Sequence, residues 1–148
     1  LIAIPELGNL RIAGRLDVDT TGALLLSDDG SWLHRVTSPR HLHEKVYELT
    51  LADPMDEEEQ AHAVKKVAQG ILLDGDYEPT KPATLEFIDE THARLILTEG
   101  KYHQVKRMVG YFGNKVTELH RASIGGITLE GLEKGESRFL TEEEVTSF

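Results

Sequence analysis

The sequence predicts an α+β domain built on a mixed, largely antiparallel sheet flanked by helices. Three observations predict it: many short apolar segments separated by turns, only two segments with sustained helical spacing, and no repeat or linker dividing the chain. With 148 residues, 39% hydrophobic and 28% charged, the chain has the size and composition of one globular domain rather than a disordered segment.

Arg11-Ile12-Ala13 leads into Gly14, and Ala23-Leu24-Leu25-Leu26 is closed by Asp28-Asp29-Gly30. This reads as strand, loop, strand and turn, with residues 14–22 as the loop. Residues 31–37 are expected as a short helix capped by Ser31, which Pro39 forbids from continuing; residues 40–44 form a polar connector. Over 45–51, Tyr47, Leu49 and Leu51 recur at every second position, the period of a half-buried strand. After Asp53-Pro54, an acidic first turn precedes Ala61, Val64, Val67 and Ala68 at helical spacing, ended by Gly70. Residues 71–73, 84–88 and 93–98 are expected strands, the last two a hairpin around Asp89-Glu90-Thr91. A second helix places Val105, Met108, Val109 and Phe112 on one face and stops at Gly113-Asn114, with Lys106 and Arg107 flanking the apolar stripe. Strands over 116–121, 127–129 and 138–140, and a capping box of Thr141 with Glu144, complete the pattern.

The absence of cysteine excludes disulfides, thiolate nucleophiles and cysteine-ligated zinc, and points to a cytoplasmic protein. No apolar run approaches the roughly 20 residues that span a bilayer, so no membrane partner is expected. His41 and His43, with only Glu44 as an acidic neighbour, are too few for a metal site. The net charge of −10 opposes indiscriminate nucleic-acid binding, but the charge is uneven. Acid gathers at Asp53, Asp56, Glu57, Glu58 and Glu59 and again in the tail. Between Lys101 and Arg121 stand Lys106, Arg107, Lys115, His103 and His120 against a single acid, Glu118. A cationic face on an acidic protein suits a folded RNA.

The segment Gly14-Arg15-Leu16-Asp17-Val18-Asp19-Thr20-Thr21-Gly22 sets charges and small residues between two apolar strands, where function commonly resides. A lone aspartate in such a loop is ordinarily a cap for backbone N–H groups. The wider pattern points elsewhere. This loop, followed by Leu24 to Leu26 and Asp28-Asp29-Gly30, resembles the active-site loop of the RsuA-type pseudouridine synthases. The resemblance continues in order through Ser38-Pro39-Arg40, Glu44-Lys45-Val46-Tyr47, Thr80-Lys81-Pro82-Ala83, Glu99-Gly100-Lys101-Tyr102-His103-Gln104-Val105-Lys106-Arg107-Met108, Leu119-His120-Arg121 and Ile124-Gly125-Gly126.

The resemblance implies the pseudouridine synthase fold and the isomerisation of one uridine to pseudouridine in 16S ribosomal RNA of the small subunit, without metal or cofactor. It implies that Asp17 is essential, as nucleophile at the sugar or as base at the 2′ carbon; a carboxylate suits either role. Tyr47 matches a tyrosine that stacks on the target base and shuttles a proton; as an isolated residue it is equally an aromatic of the sheet core. Lys106 matches the basic partner of the catalytic aspartate, where the family most often has arginine, and Val105 an aliphatic residue beside the tyrosine. Arg15, Arg40, Lys45, Lys101, His103, Arg107 and Arg121 are the candidate RNA contacts. The family carries a small RNA-binding domain and a Lys-Pro-x-Gly strand ahead of the aspartate loop. Neither precedes Gly14 here, so the expectation is an N-terminally truncated catalytic domain that acts as a monomer on small-subunit precursor RNA. Two rivals stand beside this reading: a non-catalytic RNA-binding module, and a glycoside hydrolase using Asp17 and Asp19 as its carboxylate pair.

Overall fold

The computed structural model describes residues 10–38 and 43–148. A long strand, β4 (Lys45–Leu51), lies at the centre of a six-stranded sheet whose path is β2 (Thr20–Gly22), β7 (Val116–Ile124), β4, β6 (His92–Leu97) and β5 (Thr84–Phe87), with β8 (Ile127–Thr128) paired to β7. All neighbours are antiparallel except β2 and β7, which run parallel. A separate antiparallel ribbon joins β1 (Arg11–Ala13) to β3 (Leu25–Ser27).

The strand expected over 45–51 forms over that full range, with burial alternating from Glu48 to Leu51. Leu49 and Leu51 are buried, and Tyr47 packs at the edge of the same cluster. Helix α2 (Glu57–Gln69) begins at a capping box in which Asp56 and Glu59 bond reciprocally to backbone N–H groups. Its buried face, Ala63 and Val67, joins Val105 and Met108 of α3 (Gln104–Tyr111) in covering Leu49, Leu95 and Leu97 of the sheet. A second cluster unites Ala13, Leu25, Trp32, Val36, Ile124 and Ile127, closing the ribbon and α1 (Gly30–Thr37) against the end of β7. Trp32 also donates from Nε1 to the Val145 carbonyl (2.9 Å), docking the short α4 (Glu142–Thr146), which starts at the expected Thr141–Glu144 capping box.

Several elements differ from expectation. The cap of α1 is Asp29, whose carboxylate accepts from the N–H groups of Ser31 and Trp32, so the helix starts one residue before Ser31. Residues 71–73 alternate correctly, with Ile71 and Leu73 buried and Leu72 exposed, yet form no strand. Their partner is a loop: Thr80 accepts from Ile71 N at Oγ1 and donates its own N–H to Ile71 O, both at 2.8 Å. Residues 138–140 are likewise not a strand, because Arg138 turns to form a two-pronged pair with Glu144. Conversely, Thr20–Gly22 is a strand inside the segment expected to be loop throughout. Among the described residues no helix is long and apolar enough to cross a membrane.

Candidate active site

The loop of residues 14–22 is fixed from both ends. Its turn closes where Thr20 N donates to Asp17 O (2.9 Å), and Thr20, Thr21 and Gly22 then pair with Leu119, His120 and Arg121 of β7. Gly22 has φ +120, and a Cβ there would fall on the backbone carbonyl of Arg121, so the two chains approach as only glycine permits. Arg121 completes the fastening. Its backbone carbonyl accepts from Ala23 N (2.8 Å), while Nε and Nη2 donate to Ala23 O at 2.9 and 2.7 Å and Nη1 reaches Arg15 O at 3.4 Å.

Arg121 was expected to meet RNA phosphate. It is instead 4% exposed, with its guanidinium directed at main-chain carbonyls. Its work is to hold the aspartate loop, as a buried charge must be fully hydrogen-bonded to be tolerated.

Held this way, Asp17 lines a cleft of about 620 Å³ together with Arg15, Lys45, Tyr47, Lys101, His103, Val105 and Arg121. These eight residues, all expected at the site, come together from four separate stretches of chain. The cleft walls draw on both hydrophobic clusters, with Ala13, Val36 and Ile124 from one and Leu97, Val105 and Leu119 from the other. The register of β4 against β7 shifts between Val46 and Tyr47, where Ala122 is the extra residue of β7, and Tyr47 stands opposite Arg121. Bulges of this kind re-aim side chains next to sites.

Two basic side chains face Asp17. Lys106 Nζ lies 3.5 Å from Oδ2, and His103 Nε2 3.5 Å from Oδ1. Lys106 was expected to pair with Asp17; its shorter bond, 2.6 Å, goes to Asp19, so the ammonium bridges two carboxylates. The hydrogen bond that Lys106 donates to Asp19 is the main cause holding Lys106 above the ordinary lysine range, and the same bond lowers Asp19. Asp19 is not part of the cleft wall. It borders a separate hollow with Thr21, Glu48 and His120, an arrangement that does not favour Asp17 and Asp19 as a glycosidase pair facing one substrate. Burial, reinforced by the nearby Arg121 charge and opposed by Glu99, brings the Lys45 ammonium below its usual range.

The loop ahead of α3 is braced from behind by Gln104, a residue the sequence analysis did not single out. It is 4% exposed; Oε1 accepts from Lys101 N (2.9 Å), and Nε2 donates to Glu99 Oε2 (3.2 Å) and to Met108 Sδ (3.6 Å). His103 adopts φ +46, uncommon for a residue with a Cβ, and makes no side-chain cap to α3, which leaves its imidazole facing Asp17. Arg107 donates to Asp76 Oδ1 (2.9 Å) and to the carbonyls of Tyr102 and Asp74, tying the loop ahead of α3 to residues 74–76 and away from the cleft wall. Lys101 Nζ lies 4.0 Å from the other oxygen of Asp76. Arg40 and His41 lie outside the described residues. Among the described residues, no group of three or more His, Asp or Glu is arranged to hold a metal ion.

A family described as RNA pseudouridylate synthase matches residues 2–110. The chain is 56% identical over 142 residues to a protein of Haemophilus influenzae named ribosomal small subunit pseudouridine synthase A, covering 95% of this chain and 60% of that protein. Against the protein of the same name from Vibrio cholerae the identity is 59% over 140 residues, covering 94% and 59%. A solved structure titled "Crystal structure of pseudouridylate synthase" superposes with a TM-score of 0.88 at 53% identity, covering 98% of this chain and 62% of that one. The chain thus spans about three fifths of the length of the curated relatives it matches.

Proposed function

The chain belongs to the RNA pseudouridylate synthase family, and from that premise we propose that it is the catalytic part of an enzyme that isomerises a uridine to pseudouridine in small-subunit ribosomal RNA, in the cytoplasm and without cofactor. The observation that carries the proposal is Asp17, set in the cleft wall with Lys106 and His103 on its two oxygens and Tyr47 lining the same space.

The reaction moves one glycosidic bond. The bond from the sugar's anomeric carbon to N1 breaks, the base turns within the cleft, and C5 bonds to the anomeric carbon. The C5 proton departs and N1 ends protonated, so atoms balance without oxidant or co-reactant. Asp17 acts either by adding to the anomeric carbon as the base leaves or by removing the 2′ proton to give a glycal. In both routes the ammonium of Lys106 orients the carboxylate, and removing it costs catalysis more than binding. Tyr47 offers a ring to stack on the base and a hydroxyl to carry a proton, at the register shift between β4 and β7. A base inside a duplex cannot be turned, so the target uridine is flipped out to enter.

Arg15, Lys45, Lys81 and Lys101 make the cleft cationic against Asp17 and Glu99, despite the negative total charge. That local excess suits a phosphate backbone. The test is tritium release from 5-labelled uridine in small-subunit ribosomal RNA, with the product mapped by site. Conversion of one uridine at unchanged RNA mass is expected. Release of free base would instead identify a hydrolase, and binding without conversion an RNA-binding module.

A further inference from the structure

Tyr102 has no task in the proposed reaction. It is 73% exposed in the loop between β6 and α3, and its ring stacks on His103 with centroids 3.9 Å apart and planes 19° apart. His103 in turn holds Nε2 3.5 Å from Asp17 Oδ1. Two near-parallel rings therefore run outward from the reactive carboxylate, and both line the cleft.

An exposed tyrosine alone carries no message, since apolar atoms make up much of any protein surface. Three features distinguish this one. Its backbone is anchored, because Arg107 Nη1 donates to the Tyr102 carbonyl at 3.0 Å. One face of its ring is supported by an imidazole whose own backbone is held at φ +46. The remaining face is open at the mouth of a cleft whose walls carry Lys101, Lys81 and Arg15. A fixed aromatic face beside cations is what unpaired nucleobases stack on, with tolerance of base identity because every base presents a π-face.

We propose that the Tyr102–His103 stack is a binding site for an unpaired nucleobase adjoining the target uridine, which lies on the open face of Tyr102 while the uridine is held against Asp17. The site rests on the isomerase reading, which makes RNA the ligand. It assigns to the loop ahead of α3 the handling of a neighbouring nucleotide, and it predicts that RNA is engaged only where the target's neighbour is also unpaired.

The test uses the full chain and two labelled RNA nonamers, each with one central uridine among adenosines, one of them having abasic nucleotides on both sides of the uridine. Fluorescence-anisotropy titration of wild type should show a preference of about tenfold for the intact strand, the size expected of one base-aromatic stack. Tyr102→Ala should bind the intact strand about as weakly as wild type binds the abasic one, and Tyr102→Phe should keep the preference. An unaltered preference in Tyr102→Ala, or an equal loss on both strands, overturns the site. Tritium release from small-subunit ribosomal RNA is measured separately on wild type. Release without a Tyr102-dependent preference overturns the stack alone, whereas the preference without release supports the stack and overturns the isomerase reading.

Discussion

Asp17 and Asp19 stand two residues apart, carry the same chemistry, and have different surroundings. Asp17 lies in the cleft wall with 30% of its side chain exposed, while Asp19 is 71% exposed and takes the short bond from Lys106. Asp17→Asn is therefore expected to abolish isomerisation with fold and RNA affinity retained, since the amide keeps the shape but is neither nucleophile nor base. Turnover within tenfold of wild type, a barrier change of only about 1.4 kcal/mol, would remove Asp17 from the chemistry. Lys106→Met should lower turnover more than affinity. Asp19→Asn should lower it less, and the double variant should be no worse than Lys106→Met alone, because both changes act through one shared ammonium. Additive losses in single-turnover rates would mean that Asp19 acts independently of Lys106. The pairing of Asp17 with Lys106 was expected from a family resemblance, and the two groups stand 3.5 Å apart. The bridging role of Asp19 was not expected, because which of two nearby carboxylates an ammonium prefers depends on side-chain reach in three dimensions.

At the scale of elements, β2 shows what periodicity cannot reveal. Thr20-Thr21-Gly22 has no apolar alternation, and it is a strand only because β7 offers its backbone edge. Gly22→Ala drives a methyl into the Arg121 backbone and is expected to cost ~2 kcal/mol or more, a fall of about 4 to 8 °C in the thermal midpoint. Activity should fall further than stability, since the same pairing sets Asp17. Residues 71–73 teach the converse: the side-chain period was right, but the hydrogen-bond partner was Thr80 rather than a strand. Where an element is bounded by local chemistry the sequence was read almost to the residue, as over the whole of β4 and at the end of α2, stopped by Gly70. The β5–β6 hairpin is another such case. Its turn is held by Asp89, whose carboxylate accepts from the backbone of Thr91 and from His92, lowering its pKa from 3.8 to about 2. A depressed carboxylate stabilises the fold above its unfolded pKa and loses that contribution as pH falls through the folded one. Between pH 3.8 and about 2 the hairpin should therefore weaken, and the thermal midpoint of Asp89→Asn should vary less with pH across that window than that of wild type.

Across the whole molecule, the acid lies on α2 and near α4 while the cleft collects cations, an arrangement that total charge conceals. RNA affinity should fall steeply with added salt, and Lys81→Met and Lys101→Met should each flatten the slope by about 0.7 if each ammonium meets one phosphate of a single strand. An unchanged slope in either variant would exclude that lysine from the RNA path. The parallel pairing of β2 with β7 has a further consequence in time. Thr21 meets His120, 99 positions further along the sequence, whereas the β5–β6 hairpin closes around a short turn. Closing so long a loop is slow and comes after local contacts have formed. The hairpin and helices are thus expected to assemble before residues 14–22 pair with β7, and under the proposed function activity should appear only after that pairing. During synthesis residues 14–22 have no strand to pair with until β7 emerges, so under the proposed function a chain already displaying much of its secondary structure is expected to be inactive until then.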